Sequence, residues 1–562
     1  MILNSIAAHL RCAAKQSALA VSQFLTFCIA APAATLAAPP DITALFPSGG
    51  QQGTTVKVTL QGKVEADKLK LWCDRPCIEL VAADGNEAVQ LKIAPDAAPG
   101  WCWLGFYSSE GASPQRPFYI GTIPEVLESE PNNRLSDPTV PLPAVFHGVL
   151  QKSGDVDVFP ILLKAGDTVV AAIAAKQRLG SPVDVILQLA DARGFVLAQC
   201  DDAEDFDPRI VYTAKTDGVY ALRVFGFPAT PDSSIRFAGG SNFIYRLTAT
   251  TGPAVTRVFP PAVIAHKATR MRGEGWNLTV PSEIDLPPLA SGVQTVDGPL
   301  GFSMRVLATP LSSVVIDDGE RGAPQTVQWP VCVAGRVITD SSWKFAAKKG
   351  EKISLRATAK AIGSPLDVLL RITDDAGKLL QEVDDAPQGD ADVAVEFTPP
   401  DDGEFVAVVR DRFAHGGPEY LYVMTIGTPE PDFALSVPAD AFTFMPGKDF
   451  ELTVNVESRA GFDDEVQISI EGLPEGCAAE PVKLTPQATG SSGRSGRSRR
   501  GGGTPSSSAK LIIKTTKTDG WDGEFRVVGR TLDENPLERF AVGKPANTDV
   551  PRPHLRAVIV AK

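Results

Sequence analysis

The chain has 562 residues, a formal net charge of −13, 43% hydrophobic and 22% charged content. That length exceeds what one hydrophobic core accommodates and calls for roughly three to five domains. The acidic balance excludes nucleic acid as the natural partner, because phosphate binding requires a basic footprint.

Residues 1–38 read as a signal peptide. Arg11 and Lys15 form a positive leader, Ala18 to Ala31 an apolar core, and Ala31-Pro-Ala33 or Thr35-Leu-Ala37 a small-residue cleavage point. The mature chain is therefore expected to be secreted, periplasmic or held at the cell surface. It has no membrane span, because no later segment approaches ~20 apolar residues. Export permits disulfides. Cys73 and Cys77, flanking Asp74-Arg75-Pro76, are the first pair to test, with Cys102 competing for either partner. A zinc site would need a fourth ligand that this region does not offer. Cys200, Cys332 and Cys477 stand singly and read as small buried hydrophobes.

Residues 39–122 open with Pro40-Asp-Ile-Thr-Ala-Leu-Phe-Pro47, then Gly49, Gly50, Gly53 and the alternating Val56, Val58, Leu60 and Gly62. They close through Ala98-Pro-Gly100 and an apolar run to Phe106. This segment resembles an IPT/TIG-type immunoglobulin-like domain. Trp72, Trp101 and Trp103 cluster here. Exposed, they would stack on sugars or a protein partner. Strand alternation places Trp101 and Trp103 on one face, read here as the core face.

The stretch Gly180 to Asp202 returns at Gly363 to Asp385 without a gap, and such repeats decide the architecture before single elements do. Val183, Val185, Leu187 and Leu189 alternate as a strand, Asp191-Ala-Arg-Gly194 supplies turn chemistry, and Phe195 to Cys200 forms the return strand. A symmetric turn sets Asp184 against Asp201 and Asp367 against Asp384. Facing carboxylates repel, and two answers fit. Backbone N–H groups or solvent satisfy them, or Ca²⁺ is held by Asp184, Asp201 and Asp202 in the first copy and Asp367, Asp384 and Asp385 in the second. Asp205, Asp207, Asp390 and Asp392 are additional oxygen donors for such a cation.

The flanking residues carry a resemblance. Glu128-Ser-Glu-Pro-Asn-Asn133, Gly154-Asp-Val-Asp-Val-Phe159, Lys164-Ala-Gly166 and Asp217-Gly-Val-Tyr220 resemble the motifs of the bacterial pre-peptidase C-terminal domain. That small β-sandwich is found beside secreted proteases and in exported proteins of planctomycete-like bacteria. The resemblance covers residues 123–252 and, in a departed form, 329–428. In the second copy Asp340-Ser-Ser-Trp343 replaces the Asp-x-Asp, and the acidic lead-in motif is missing before Trp329. The family is usually accessory, so the resemblance implies fold more than function.

Residues 253–328 repeat the first module in degenerate form: Val255, Thr256, Phe259, Pro260 and Gly275 match Ile42, Thr43, Phe46, Pro47 and Gly62. Residues 429–562 resemble an immunoglobulin-like domain, interrupted by a basic Gly/Ser-rich insert at 487–508 that carries Arg494, Arg497, Arg499 and Arg500. The insert reads as a loop, cheap to lengthen.

The fold class is therefore all-β, a tandem of immunoglobulin-like and jelly-roll-like β-sandwiches. No HExxH pair, GxSxG elbow, phosphate loop or dinucleotide fingerprint is present. His147, His266, His415 and His554 read as ordinary surface residues. These features point to a non-catalytic exported protein for adhesion, spacing or contact with matrix and cell surface, with an extracellular protein or polysaccharide as partner. The alternative is a secreted hydrolase or an accessory part of one.

Overall fold

The computed structural model describes residues 38–561 apart from 136–138, 204–205, 230–235, 281, 320–322, 385–392, 430, 460, 487–505, 535, 545–551 and 553. The expected signal segment, Asp205, Asp385, Asp390, Asp392 and nearly all of the basic insert lie outside the described residues. The regular structure of these residues is almost entirely strand, arranged as five pairs of facing sheets. No helix among the described residues is long and apolar enough to cross a membrane.

The second sandwich, residues 125–250, shows why these sequences become strands. Val183, Val185, Leu187 and Leu189 are all fully buried in one cluster with Phe146, Ile161, Leu222 and Tyr245. The residues between them turn outward, the period-two pattern of a sheet with one face in a core. One sheet runs Glu125–Leu127, Ala144–Val149, Ile244–Thr250, Thr168–Ala174 and Arg209–Thr213. The other runs Asp157–Leu163, Gly218–Pro228, Val183–Asp191 and Val196–Cys200. The fourth sandwich, residues 314–427, repeats this strand order and adds the edge strand Gln325–Thr326.

Much of the repeated sequence is explained by backbone geometry. Asp191 accepts from the N–H groups of Arg193 and Phe195 at 2.9 and 3.0 Å, closing its hairpin turn. Asp374 does the same for Lys378 at 2.8 Å. Gly194 and Gly377 hold the left-handed turn position, with φ of 89° and 82°, a conformation that costs a residue with a Cβ.

The first and third sandwiches share a second signature. Asp41–Phe46 and Ala254–Phe259 pair with their neighbours through a bulge at the same place, at Thr43 and at Thr256. Beside each bulge lies a glycine whose missing Cβ is required: one added at Gly62 would sit 2.0 Å from Asp41 O, and at Gly275 1.9 Å from Ala254 O.

The sandwiches pack on one another. Ala44, Phe46 and Trp101 of the first meet Val149, Leu179 and Ile244 of the second. Phe259 and Ala262 of the third meet Cys332, Ala334, Ile362, Leu421 and Val423 of the fourth. The fifth sandwich, residues 432–559, folds back onto the first. Gln115 N–H donates to Asp440 Oδ2 at 2.9 Å, and Gln115 Nε2 to His554 O at 2.8 Å. Arg552, fully buried, lies over the Trp103 ring at 4.5 Å, and Arg556 over Trp72 at 4.5 Å.

This packing corrects the reading of the tryptophans. Trp101 and Trp103 do share a face of Gly100–Ser108, but the core face is the other one, filled by Cys102, Leu104 and Phe106. Both faces of that strand are apolar, and neighbouring sandwiches cover the tryptophan side. The strand Ser506–Thr515 begins inside the expected 487–508 insert and pairs with Phe450–Arg459.

Candidate functional site

The hairpin aspartates do not face each other as the symmetric turn implies. A bulge between Leu189 and Ala190 shifts the register so that Leu187 opposes Cys200, and Asp184 pairs instead with Phe227 of the strand on its other side. The same bulge in the second copy puts Leu370 opposite Val383. Asp201 accepts from the Asp202 N–H at 3.2 Å, and both are exposed. Asp367 donates its N–H to Asp411 Oδ1 at 3.0 Å, and Asp384 pairs with Arg412. Asp207 is engaged by the backbone N–H groups of Ala175 and Gln177, 3.2 Å each. No three of these carboxylates converge among the described residues.

A carboxylate group does form elsewhere, at residues quoted above for fold rather than chemistry. Glu128, Glu130 and Asp157 bring one oxygen each within 4.8 Å of one another. Glu128 follows the edge strand Glu125–Leu127, while Asp157 opens Asp157–Leu163 in the opposite sheet. The lead-in motif and the Gly-Asp-Val-Asp turn thus close over the end of the second sandwich. Asn132 ties the two halves: its carbonyl accepts from the Val158 N–H at 3.1 Å, while its own N–H donates to Glu130 at 2.9 Å and its side-chain amide to Glu128 at 3.4 Å. Asn133 donates to Asp155 at 3.1 Å, and Gln151 N–H to the same carboxylate at 2.7 Å.

Two acceptors in this group have no partner. Asp157 Oδ1 and Asn132 Oδ1 are both buried without a hydrogen bond, on residues 0% and 8% exposed. Burial, then the neighbouring Asp157 charge, raises the Glu128 carboxyl to about 9, and burial raises Asp157 to about 7. A hard cation with six to eight oxygen ligands removes both problems, supplying charge to the carboxylates and a partner to the orphaned oxygens. The donor set, all oxygen and no sulfur or imidazole, fits Ca²⁺.

The fourth sandwich carries the same position with serine in place of one of the carboxylates. Tyr245 opposes Gly148 and Tyr422 opposes Gly335. Asp157 opposes Val224 and Ser341 opposes Val409, so serine stands where the first copy has aspartate. Asp317 stands where the first copy has Glu128, so one carboxylate survives before the Trp329 segment. Its oxygens accept from the Ser341 hydroxyl and the Gly319 N–H, and Trp343 Nε1 donates to the Tyr422 oxygen at 2.8 Å. Here the chain satisfies its own polar atoms.

Among the described residues, Cys73, Asp74 and Cys102 form the other close group of ligand-type atoms. Within it, the Trp103 N–H donates to Asp74 Oδ1 at 2.9 Å, and the Cys102 thiol donates to Phe118 O at 3.2 Å. The six cysteines among the described residues are all free thiols, with the Cys73 and Cys102 sulfurs within 4.8 Å of each other. The expectation of a Cys73–Cys77 bridge is not realised.

The histidines correct one expectation. His147 is 1% exposed, its Nε2 2.9 Å from Glu125, which also holds Arg246 at 3.1 Å. Burial lowers its pKa below the usual imidazole value and favours the neutral ring. Its strand, Ala144–Val149, is buried along both faces because the first sandwich covers the outer one. His554 lies at the interface of the first and fifth sandwiches, edge-on to Trp72 with ring centroids 5.4 Å apart.

No protein-family model matches the chain. A 76-residue segment is 40% identical to a probable subtilase-type serine protease of Deinococcus radiodurans. The match covers 14% of this chain and spans about a tenth of that protein, 10% of its length. Among solved structures, Escherichia coli alpha-2-macroglobulin activated by porcine elastase aligns over 90% of this chain and 53% of its own, at 11% identity and a TM-score of 0.14. The ICAM-5 D1–D4 ectodomain fragment aligns over 88% and 96%, at 11% identity and a TM-score of 0.11. SGBP-B of the Bacteroides ovatus mixed-linkage glucan utilization locus, in complex with a mixed-linkage heptasaccharide, aligns over 68% and 95%, at 10% identity and a TM-score of 0.12. TM-scores this low carry no argument about function.

Proposed function

We propose that the chain is a non-catalytic exported scaffold of β-sandwiches, acting in adhesion, spacing or matrix assembly and partnered by an extracellular protein or polysaccharide. The observation that carries this reading is the return of the fifth sandwich onto the first through Asp440, Arg552 and Trp103. That contact ties the last module to the first, and the first also packs on the second and third. Such an arrangement suits holding surfaces at fixed positions. Glu128, Glu130 and Asp157, with the Asn132 side-chain oxygen, would hold one Ca²⁺ and staple the lead-in segment to the second sandwich. The purified mature chain is expected to turn over neither protein nor glycan substrates. Hydrolysis that vanished on replacing one acidic or histidine residue would contradict the reading.

A second reading has its own support. The 76-residue likeness to a probable subtilase-type serine protease favours an accessory module that accompanies a secreted hydrolase. Under that reading the chain alters the substrate range or stability of a co-purified protease while remaining inert alone.

A further inference from the structure

The first sandwich carries three of the six described cysteines, and its strand register brings two of them together. Lys70–Cys73 runs antiparallel to Gly100–Ser108 with Cys73 opposite Leu104, so Cys102 is its diagonal neighbour on the core face. Asp74 is fastened to that strand twice. Its N–H donates to Trp103 O at 3.2 Å, and its Oδ1 accepts from the Trp103 N–H at 2.9 Å. Two sulfurs and a carboxylate oxygen thus lie within 4.8 Å of one another, with Cys73 Sγ 3.9 Å from Asp74 Oδ1. Asp74 Oδ2 lies 3.9 Å from His554 Nε2 of the fifth sandwich.

Two chemistries can join sulfurs placed like this, and geometry separates them. A disulfide needs Cβ atoms about 3.5–4.5 Å apart. Diagonal cross-strand neighbours stand about 7–8 Å apart, their Cβ atoms somewhat closer, so a bridge would have to distort the paired strands. A tetrahedral metal needs no such movement, because two bonds of about 2.3 Å to sulfur span the gap. The sequence contributes a further ligand. Cys73 and Cys77 have three residues between them, within the spacing that zinc sites use. Cys77 is half-buried against the same core, and burial, then the charge of the neighbouring Cys73, raises its pKa. Its thiol stands outside the close group, and a side-chain rotation brings it in.

We propose that Cys73, Cys77, Cys102 and Asp74 hold one structural Zn²⁺, which fastens the Asp74-Arg75-Pro76 turn to the strand Gly100–Ser108. Three thiolates and one carboxylate suit a borderline-soft divalent ion and not Ca²⁺. The ligand missing from the cysteine count is Asp74, which lies in the turn between Cys73 and Cys77. The neighbouring Cys73 and burial push the Cys102 pKa well above the usual thiol range in the metal-free chain, and coordination removes that proton outright. The opposite face of the same strand carries Trp101 and Trp103, against which the second and fifth sandwiches pack. The metal thus stiffens the strand on which both contacts converge.

The test titrates the reduced mature chain with Co²⁺ as a spectroscopic probe and then with Zn²⁺. One Co²⁺ per chain should bind with a thiolate-to-metal charge-transfer band, which the all-oxygen group at Glu128 cannot give. Zn²⁺ should bleach that band by displacing Co²⁺, and excess Ca²⁺ should not. Bound Zn²⁺ should also protect Cys73 and Cys77 from iodoacetamide. Cys73→Ser, Cys77→Ser and Asp74→Asn should each weaken Zn²⁺ binding roughly a hundredfold or more, beyond the loss of an outer-shell partner. Asp74→Asn keeps an oxygen for the Trp103 N–H, and metal-free melting of every variant separates a lost ligand from a lost fold. Cys477→Ser, in the fifth sandwich, should bind as wild type. Three results would overturn the proposal: no charge-transfer band from the folded reduced chain, unchanged Zn²⁺ affinity in any folded ligand variant, or a disulfide between two of these thiols in the exported protein. Hydrolytic turnover would contradict the scaffold reading without touching this site.

Discussion

The Tyr245 hydroxyl donates to Asp157 Oδ2 at 2.5 Å, while Asp157 Oδ1 stays buried without a partner. The fourth sandwich replaces this pair by Ser341 and Tyr422, both hydrogen-bonded within the protein. The two copies therefore differ in cation demand, and one Ca²⁺ is expected per chain, not two. At a hundredfold excess over the dissociation constant, Ca²⁺ should stabilise the fold by about 2.7 kcal/mol. Asp157→Ala should remove the calcium-induced rise in melting temperature, and Ser341→Ala should leave it intact. Thermal melting with Ca²⁺ and with chelator reads both outcomes.

The same carboxylates set a pH dependence. Both have raised pKa values in the folded protein, near 9 for Glu128 and near 7 for Asp157, with burial as the first cause. Without metal, their contribution is fully present below the ordinary carboxylate range and is lost as pH rises through these values. Metal-free protein should therefore lose stability from this site between about pH 5 and pH 9, while stabilisation by Ca²⁺ grows, because binding requires the ionised carboxylates. Denaturant melts at several pH values, with chelator and with Ca²⁺, should diverge as pH rises.

Asp440 and Arg552, both of the fifth sandwich, make a buried pair at 3.7 Å where that sandwich meets Gln115 and Trp103 of the first. Asp440→Ala leaves the Arg552 guanidinium buried over Trp103 without its counter-charge, at a cost of about 3–5 kcal/mol. Replacing both partners, as Asp440→Asn with Arg552→Met, should recover much of that loss, because Asn keeps an acceptor for the Gln115 N–H and an apolar Met needs no counter-charge. Equilibrium unfolding of the single and double variants measures the difference.

The thiols should separate by reactivity. Hydrogen bonding to Cys102 lowers the Cys73 pKa, whereas burial pushes Cys332 up to about 12. The thiolate is the reactive form. A short native pulse of iodoacetamide followed by peptide mass mapping should find Cys73 alkylated well before Cys332 or the fully buried Cys102.

The all-β architecture and the two duplications were legible because strand alternation and turn glycines are local. Val183 to Leu189 and Gly194 report their own backbone states. The site was harder to see. The repeated Asp191 and Asp374 close turns, and a one-residue bulge moves Asp184 away from Asp201, a displacement that no symmetric count of turn residues reveals. The useful signal was the difference between copies: Glu128-Ser-Glu-Pro-Asn and Asp155-Val-Asp157 appear once, where charge is needed, and give way to Ser341 where it is not. Module packing was illegible for another reason. Gly100–Ser108 is apolar on both faces, and only the positions of Arg552, Leu179 and Ile244, far away in sequence, decide what covers Trp103 and Trp101.

Calorimetric melting of the mature chain tests the central claim, that docked sandwiches act together as a scaffold. The account predicts that the first and fifth sandwiches melt in one shared transition, and that Asp440→Ala splits off a separate, earlier transition for the fifth. Five independent transitions in the wild type, unmoved by Asp440→Ala, would contradict it and return the chain to a string of separate modules.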